Sequence, residues 1–360
     1  VNAPTDRPSR RRSLRSIVRI AVAAVTFLFA IQLLSEALQT LSPAIRPVFR
    51  RQALNGVQLV GASWFAAYVV MNGSAVAAIA LSLFSAGVVG VVELFLLVAG
   101  SRLGASGIVL LIGALEYLRI REYSLAESMR LGILTFIVSF TIYAPATVLG
   151  AGAMRWINSD VWREGIEAGG VPGGVGFLGS YTARTIRLLG AGPSALLALG
   201  LFVGSLHLLD GLLEQVDEDW LRDRMFERLR RHWLSFGLGL GVTAAATSVA
   251  FSTGLLVPIY NRGYITRREI VPYVVGASLG TLTDTLLVAL VLDSGVGVAT
   301  VLVLLAVAAV CAGAALAFYD VYYGGVDAVQ ERLLRDERAF AAFLAALVVV
   351  PLALVVVPAL

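Results

Sequence analysis

The sequence predicts an all-α polytopic membrane protein made of two homologous repeats of inverted topology, each with a re-entrant or broken helical hairpin. Three observations predict it. First, 58% of the 360 residues are hydrophobic and 14% charged, with a mean hydropathy of +0.84. Apolar runs of about 20 residues, long enough to cross a bilayer core, therefore recur along the chain. Second, between Gly239 and Thr285 small hydroxyl residues and glycines crowd two windows, Thr243–Thr253 and Gly276–Asp284, inside otherwise apolar sequence. Lipid-facing helices do not require such residues; broken helices lining a cavity do. Third, the pattern recurs at one constant offset along the chain: Gly61, Gly87, Gly100 and Gly104 fall on Gly237, Gly263, Gly276 and Gly280, Asn72 falls on Ser248, and Leu103 on Leu279.

The same composition sets the partner classes. A bilayer is the obligatory environment. The 28 basic residues are all Arg, although Lys is ordinarily among the commonest residues. Genome composition accounts for that usage, and no nucleic-acid partner follows from it. Cys311 is the single cysteine and sits in an apolar run, so no intrachain disulfide forms.

Taken in order, residues 1–17 form a basic segment. Six arginines, Arg7, Arg10, Arg11, Arg12, Arg15 and Arg19, precede the first apolar span, and the positive-inside rule places this end in the cytoplasm of a multi-pass cell-membrane protein. The apolar segment behind them is too long for a signal-peptide core and is expected to stay attached. A first membrane repeat is expected over 18–152. Its first span runs from Ile20 to Leu38, with Glu36 near the end, followed by a short amphipathic piece holding Arg46, Arg50 and Arg51. The apolar stretch Leu54–Leu83 is interrupted by Met71-Asn72-Gly73-Ser74, where a re-entrant hairpin or broken helix is expected, a plain helix kinked at Gly73 being the alternative. The next run is interrupted by Gly100–Gly107, with Arg102 in apolar sequence on both sides. A charge near mid-membrane costs about 2.5–3.5 kcal/mol on insertion scales, so it needs a partner or an aqueous cavity, and an anion is one candidate ligand. A solvated loop over 119–130 and a span over 131–152 complete the repeat.

Residues 153–193, with Gly169–Gly174 near the middle, read as an exposed Gly-rich connector. The second repeat, 194–360, opens with a span over 194–216 holding His207 and Asp210. Residues 217–231 follow, with opposite charges three and four apart as on a surface helix. After the two hydroxyl-rich windows, spans are expected over 285–319 and 339–360, separated by a charged loop from Asp320 to Arg338. Asp284, apolar on both sides, is the acidic site candidate of this half; a helix cap or an interhelical hydrogen bond is the alternative role.

The order of features resembles the bacterial and archaeal sodium/phosphate cotransporter family, the type II sodium-dependent phosphate symporters. Each repeat of that family has an LFLFG-like span ending in SEGL, a TALxQSSSAT motif in a re-entrant hairpin, and a GANIGTT motif. Here FLFAIQLLSEAL (Phe27 to Leu38) resembles the first element, and FVGSLHLLDGL (Phe202 to Leu212) is its second copy. TAAATSVAFS (Thr243 to Ser252) is similar to the hairpin motif and GASLGTL (Gly276 to Leu282) to the glycine motif; AAYVVMNGSAV (Ala66 to Val76) and GSRLGAS (Gly100 to Ser106) are the counterparts in the first repeat. Met71 and Thr247 stand where the family has Gln, and Arg102 and Ser278 where its glycine motif has Asn.

The resemblance implies sodium-coupled symport of inorganic phosphate or a related anion, with no cofactor, no metal beyond transported sodium, and a possible homo-oligomer. The motifs, together with the cost of charges in apolar sequence for Arg102 and Asp284, single out for ion and anion contacts Asn72, Ser74, Arg102, Thr243, Thr247, Ser248, Ser252, Ser278, Thr281 and Asp284, with Gly73, Gly100, Gly104, Gly276 and Gly280 shaping the hairpins. One alternative is a transport-inactive scaffold or regulator of the same fold. Another is a rhomboid-like intramembrane serine protease, because Gly104-Ala105-Ser106-Gly107 fits a GxSG pattern and His207 offers a base.

Overall fold

The computed structural model describes residues 10–52, 55–119, 129–157, 178–213, 229, 231–254, 256, 260 and 265–357. The described residues form helices and turns, and seven helical segments are long and apolar enough to cross a membrane. The chain is a multi-pass membrane protein. Its outward faces are apolar: Leu196 is 72% exposed, Val310 70% and Val356 77%, as a lipid-facing surface requires.

The helices are α1 (Arg10–Gln52), α2 (Gly56–Val70), α3 (Gly73–Ser85), α4 (Val91–Arg119), α5 (Arg130–Ile157), α6 (Gly179–Leu189) and α7 (Ala191–Leu213), then α8 (His232–Ala246), α9 (Val249–Gly254), α10 (Arg267–Gly280), α11 (Leu282–Val291), α12 (Gly295–Ala317), α13 (Tyr319–Arg335) and α14 (Glu337–Val356). Helices α1 and α7, which carry the segments Phe27–Leu38 and Phe202–Leu212, pack against each other, with Phe27 and Phe202 ring centroids 5.2 Å apart. α2 packs along α4, and α8 along α10.

The break expected at Met71–Asn72 is present. α2 ends at Val70, Met71 takes a left-handed conformation (φ 54), and Asn72 caps α3 by accepting a hydrogen bond from the Ala75 N–H at 2.9 Å. The second half repeats this turn. α8 ends at Ala246, Thr247 is left-handed (φ 57), and the Ser248 Oγ accepts from the Phe251 N–H at 3.2 Å. Met71 thus answers to Thr247 and Asn72 to Ser248, at the offset that relates the glycines. α2 and α8 each have 15 residues, about 22 Å of helix, too short to cross a hydrocarbon core of about 30 Å alone.

The glycine windows behave differently. α4 runs through Gly100–Gly107 without interruption, and α10 and α11 meet at Thr281, which itself keeps helical angles (φ −66, ψ −18). Gly100, Gly104, Gly276 and Gly280 therefore shape no hairpin; they let two helices approach. A Cβ on Gly104 would come within 2.5 Å of the Trp64 carbonyl oxygen, and one on Gly280 within 2.7 Å of that of Leu240. Gly100 faces the Val60 carbonyl and its counterpart Gly276 the Phe236 carbonyl in the same way. An apolar helix keeps its own hydrogen bonds through such a window, so polarity alone does not break it.

Four further expectations are corrected. α1 does not stop at Leu38 but continues through Pro43 and Pro47 to Gln52. Its C-terminal half is anchored where Arg46 donates to the Ala86 carbonyl at the end of α3 (2.6 Å), beside Gly87, whose φ of +65 turns the chain toward α4. The span expected over 285–319 is split between α11 and α12: Asp293 is left-handed (φ 50), and the Ser294 Oγ caps α12 by accepting from the Gly297 N–H at 3.0 Å. Asp320–Arg338 is not a loop but largely α13, an amphipathic helix held to the start of α10 by Arg267–Asp327 (2.9 Å) and Arg268–Asp320, and to α5 by Gln330 donating to the Arg130 carbonyl (2.7 Å). The end of the expected connector is helical as α6, which packs on α1. Its Gly169–Gly174 run, nearly all of the charged segment 217–231, and Gly263 lie outside the described residues.

Candidate functional site

The site is assembled where the hairpin start of α3, the middle of α4 and the α10–α11 joint meet. Gly73 is what allows the approach: a Cβ there would lie 2.7 Å from the Ser101 carbonyl oxygen and 2.6 Å from the Ala105 Cβ. Ser74 is thereby carried to the buried ends of Arg102 and Asp284.

Arg102 is 1% exposed and Asp284 0%. The Arg102 guanidinium donates to the Thr281 carbonyl (3.1 Å), to the Ser74 Oγ (3.4 Å) and, through Nε, to the Ser101 Oγ (3.5 Å). Its Nη1 lies 3.7 Å from Asp284 Oδ1, so the two charges form a buried ion pair. The Ser74 hydroxyl donates to Asp284 Oδ2, and the Thr285 hydroxyl donates to Oδ1 at 2.9 Å. An isolated charge in this setting would be prohibitively desolvated; the pair and its hydroxyls hold both.

Beside this centre, the Tyr143 hydroxyl donates to the Ser278 carbonyl, the Ser139 and Ser278 hydroxyls lie 2.8 Å apart, and Thr281 donates to the Ser278 carbonyl at 2.8 Å. The α10–α11 joint is thus gripped by α5. Of the residues singled out from sequence, Ser74, Arg102, Thr281 and Asp284 come together, with Ser278 adjoining.

The others lie elsewhere. Thr243 donates to the Ser252 Oγ (2.6 Å), which lies 2.8 Å from the Tyr273 hydroxyl: a second, separate hydroxyl cluster that ties α9 to α8 and α10. Asn72 and Ser248 serve as helix caps at the two turns. Thr247 is left-handed, a conformation strained for a β-branched residue, and its buried Oγ1 has no hydrogen-bond partner among the described residues. The sequence reading missed Ser101, Ser139, Tyr143, Tyr273 and Thr285. Ser139 and Tyr143 carried a usable signal, since two polar residues four apart share one face of an apolar helix; nothing in sequence distinguishes Ser101 from its neighbours.

Ser106 and His207 do not meet. Ser106 is buried and donates to the Leu103 carbonyl of its own helix (2.6 Å), while His207 is exposed, with Nδ1 3.2 Å from the Val203 carbonyl. The protease dyad is not formed. Among the described residues no group of three or more His, Cys, Asp or Glu is placed to hold a metal ion.

Seven apolar helices, with two tight turns and a buried charged pair among them, define a polytopic all-α membrane protein. Residues 201–324 match the family described as Na+/Pi-cotransporter, which bears out the resemblance read from the motifs. The matched stretch begins within α7, ends within α13, and carries Thr243, Ser248, Ser278 and Asp284. No curated protein and no solved structure matches the chain.

Proposed function

We propose that the protein is a secondary active transporter that carries inorganic phosphate, or a related small anion, together with sodium by alternating access between two inverted repeats. The observation that carries the reading is the Arg102–Asp284–Ser74 centre, in which a guanidinium and a carboxylate from the two halves of the chain are buried at a hairpin start. Arg presents a planar fork suited to an oxyanion. A carboxylate with hydroxyls offers hard oxygen ligands to a small cation. The thirteen-residue helix α3 points its N-terminal end at the same place, where a partial positive charge favours an anion.

The energetics require a cation. Moving one charge against 100 mV costs about 2.3 kcal/mol, so a phosphate dianion entering a cell held negative inside opposes twice that, and each accompanying sodium ion returns one share. Two sodium ions balance the charge, and their concentration gradient then drives accumulation.

Proteoliposomes with an imposed sodium gradient are expected to accumulate radiolabelled phosphate, and to stop when choline replaces sodium. Folded protein without sodium-dependent flux of phosphate, sulfate or arsenate would remove the symporter reading in favour of a scaffold of the same fold. Within a working transporter, Ser248→Ala and Asp284→Asn are expected to lower uptake more than Ser252→Ala does. Ser252→Ala instead takes the acceptor from the buried Thr243 hydroxyl, while Tyr273 keeps the Ser252 carbonyl, and is expected to cost about 1–3 kcal/mol of stability, read as a lower melting temperature in detergent. Equal uptake in all three variants would take Ser248 and Asp284 off the transport path.

A further inference from the structure

The buried pair has a geometry unlike a permanent structural salt bridge. A guanidinium has five N–H donors, and a committed Arg–carboxylate pair is commonly bidentate at about 2.7–2.9 Å. Among the described residues, Arg102 instead makes three hydrogen bonds of 3.1–3.5 Å, none of them to Asp284, whose nearest oxygen is 3.7 Å away. Asp284 in turn is held by two hydroxyls, Ser74 and Thr285. Each charge is thus positioned by neutral groups and only balanced by the other.

The pair also spans the two halves of the chain. Arg102 belongs to α4 and Asp284 to α11, while Ser74 of α3 bonds to both. A motion that separates α4 from α11 parts the charges. A parted charge with its neutral contacts alone is left buried and uncompensated, which the protein resists strongly. An anion on Arg102 relieves only half of that penalty, and a cation on Asp284 only the other half.

Resting on the transport reading above, we propose that Arg102 and Asp284 form an exchangeable ion pair that couples the two substrates. The oxyanion takes the guanidinium, the sodium ion takes the carboxylate, and neither binds tightly without the other. Coupling follows from charge balance in a low-dielectric site and needs no signal passed between distant sites. By linkage, sodium raises anion affinity by the same factor as the anion raises sodium affinity.

The test is equilibrium binding of radiolabelled phosphate to the purified full chain in detergent, with sodium or choline as the salt, and of radiolabelled sodium with and without phosphate. In the wild type, sodium is expected to tighten phosphate binding by about tenfold or more, within the usual range of coupling between sites. Asp284→Asn frees Arg102 from its carboxylate, so phosphate is expected to bind equally in both salts. Arg102→Gln is expected to bind sodium with an affinity indifferent to phosphate. Should either single variant fail to fold, the charge-neutral Arg102→Gln/Asp284→Asn double variant decides, because its coupling must vanish. Retention of the wild-type sodium dependence in Asp284→Asn or in the double variant overturns the exchange while leaving the symporter reading intact. Loss of sodium-dependent phosphate binding in the wild type itself overturns both.

Discussion

Asp284→Ala is expected to destabilise the protein by about 3–5 kcal/mol, the cost of leaving a buried charge without its partner. The reason is local. Arg102, 1% exposed, keeps only long hydrogen bonds to Thr281, Ser74 and Ser101 once the carboxylate is gone, and Ser74 loses its acceptor. Arg102→Met is expected to be comparably harmful, because it strands Asp284. Replacing both at once, as Arg102→Met/Asp284→Leu, removes the charges together and is expected to recover most of the loss, since an apolar pair of similar volume often matches a buried ion pair. Thermal unfolding of the four proteins in detergent forms a double-mutant cycle. Additive losses, with the double variant worse than either single one, would show that the two charges do not stabilise each other. Such a double variant is expected to be folded and inactive in uptake, which separates the pair's role in stability from its role in transport.

The second large effect concerns helix approach. Gly276→Ala is expected to destabilise the α8–α10 packing by about 1–3 kcal/mol or more, and Gly276→Val to prevent folding. A Cβ at this position would collide with the Phe236 carbonyl oxygen and lie 2.8 Å from the Leu240 N, both backbone atoms that cannot rotate away. Gly237, equally prominent in the glycine spacing, has nothing among the described residues within 4 Å of where a Cβ would stand. Gly237→Ala is therefore expected to be neutral or stabilising by up to about 1 kcal/mol, as for alanine replacing glycine in an open helix position. Yield of monodisperse protein and melting temperature read both variants. Equal behaviour of Gly237→Ala and Gly276→Ala would mean that the close contact does not hold the helices together.

The contrast between these glycines shows where sequence reasoning reached and where it stopped. The constant offset pairs Gly61 with Gly237 as surely as Gly100 with Gly276. In the fold, Gly61 receives the Leu354 side chain and the Pro351 carbonyl of α14, while Gly237 faces open space. The glycine spacing is a property of the chain; which glycine is crowded depends on what packs against it, and α14 packs on α2. Similarly, Met71-Asn72-Gly73-Ser74 declared a break because a capping residue followed by small residues interrupts an apolar run. The Gly100–Gly107 window used the same residue types, yet α4 passes through it unbroken. Local composition permits both outcomes, and only the neighbouring carbonyls of Val60 and Trp64 show that the second glycines serve approach rather than interruption.

The site divides along the same line. Arg102 and Asp284 were legible one at a time, because a charge set in apolar sequence is expensive and has to be compensated. Their pairing was not, since they lie in opposite halves of the chain and no local pattern records which charge answers which. For Ser139 and Tyr143 the four-residue spacing marks a shared polar face, but not its target: the grip of these two on Ser278 exists only once α5 and α10 pack.

What the sequence determined by itself is the membrane class, the two tight turns at matching positions and the identity of the costly charges, because each follows from solvation and backbone chemistry within a short window. What the tertiary structure decided is that one pair of those charges meets, that Thr243 and Ser252 belong to a different cluster, and that Ser106 and His207 do not meet. Those outcomes depend on which helices lie side by side, a matter of packing between surfaces far apart in the chain.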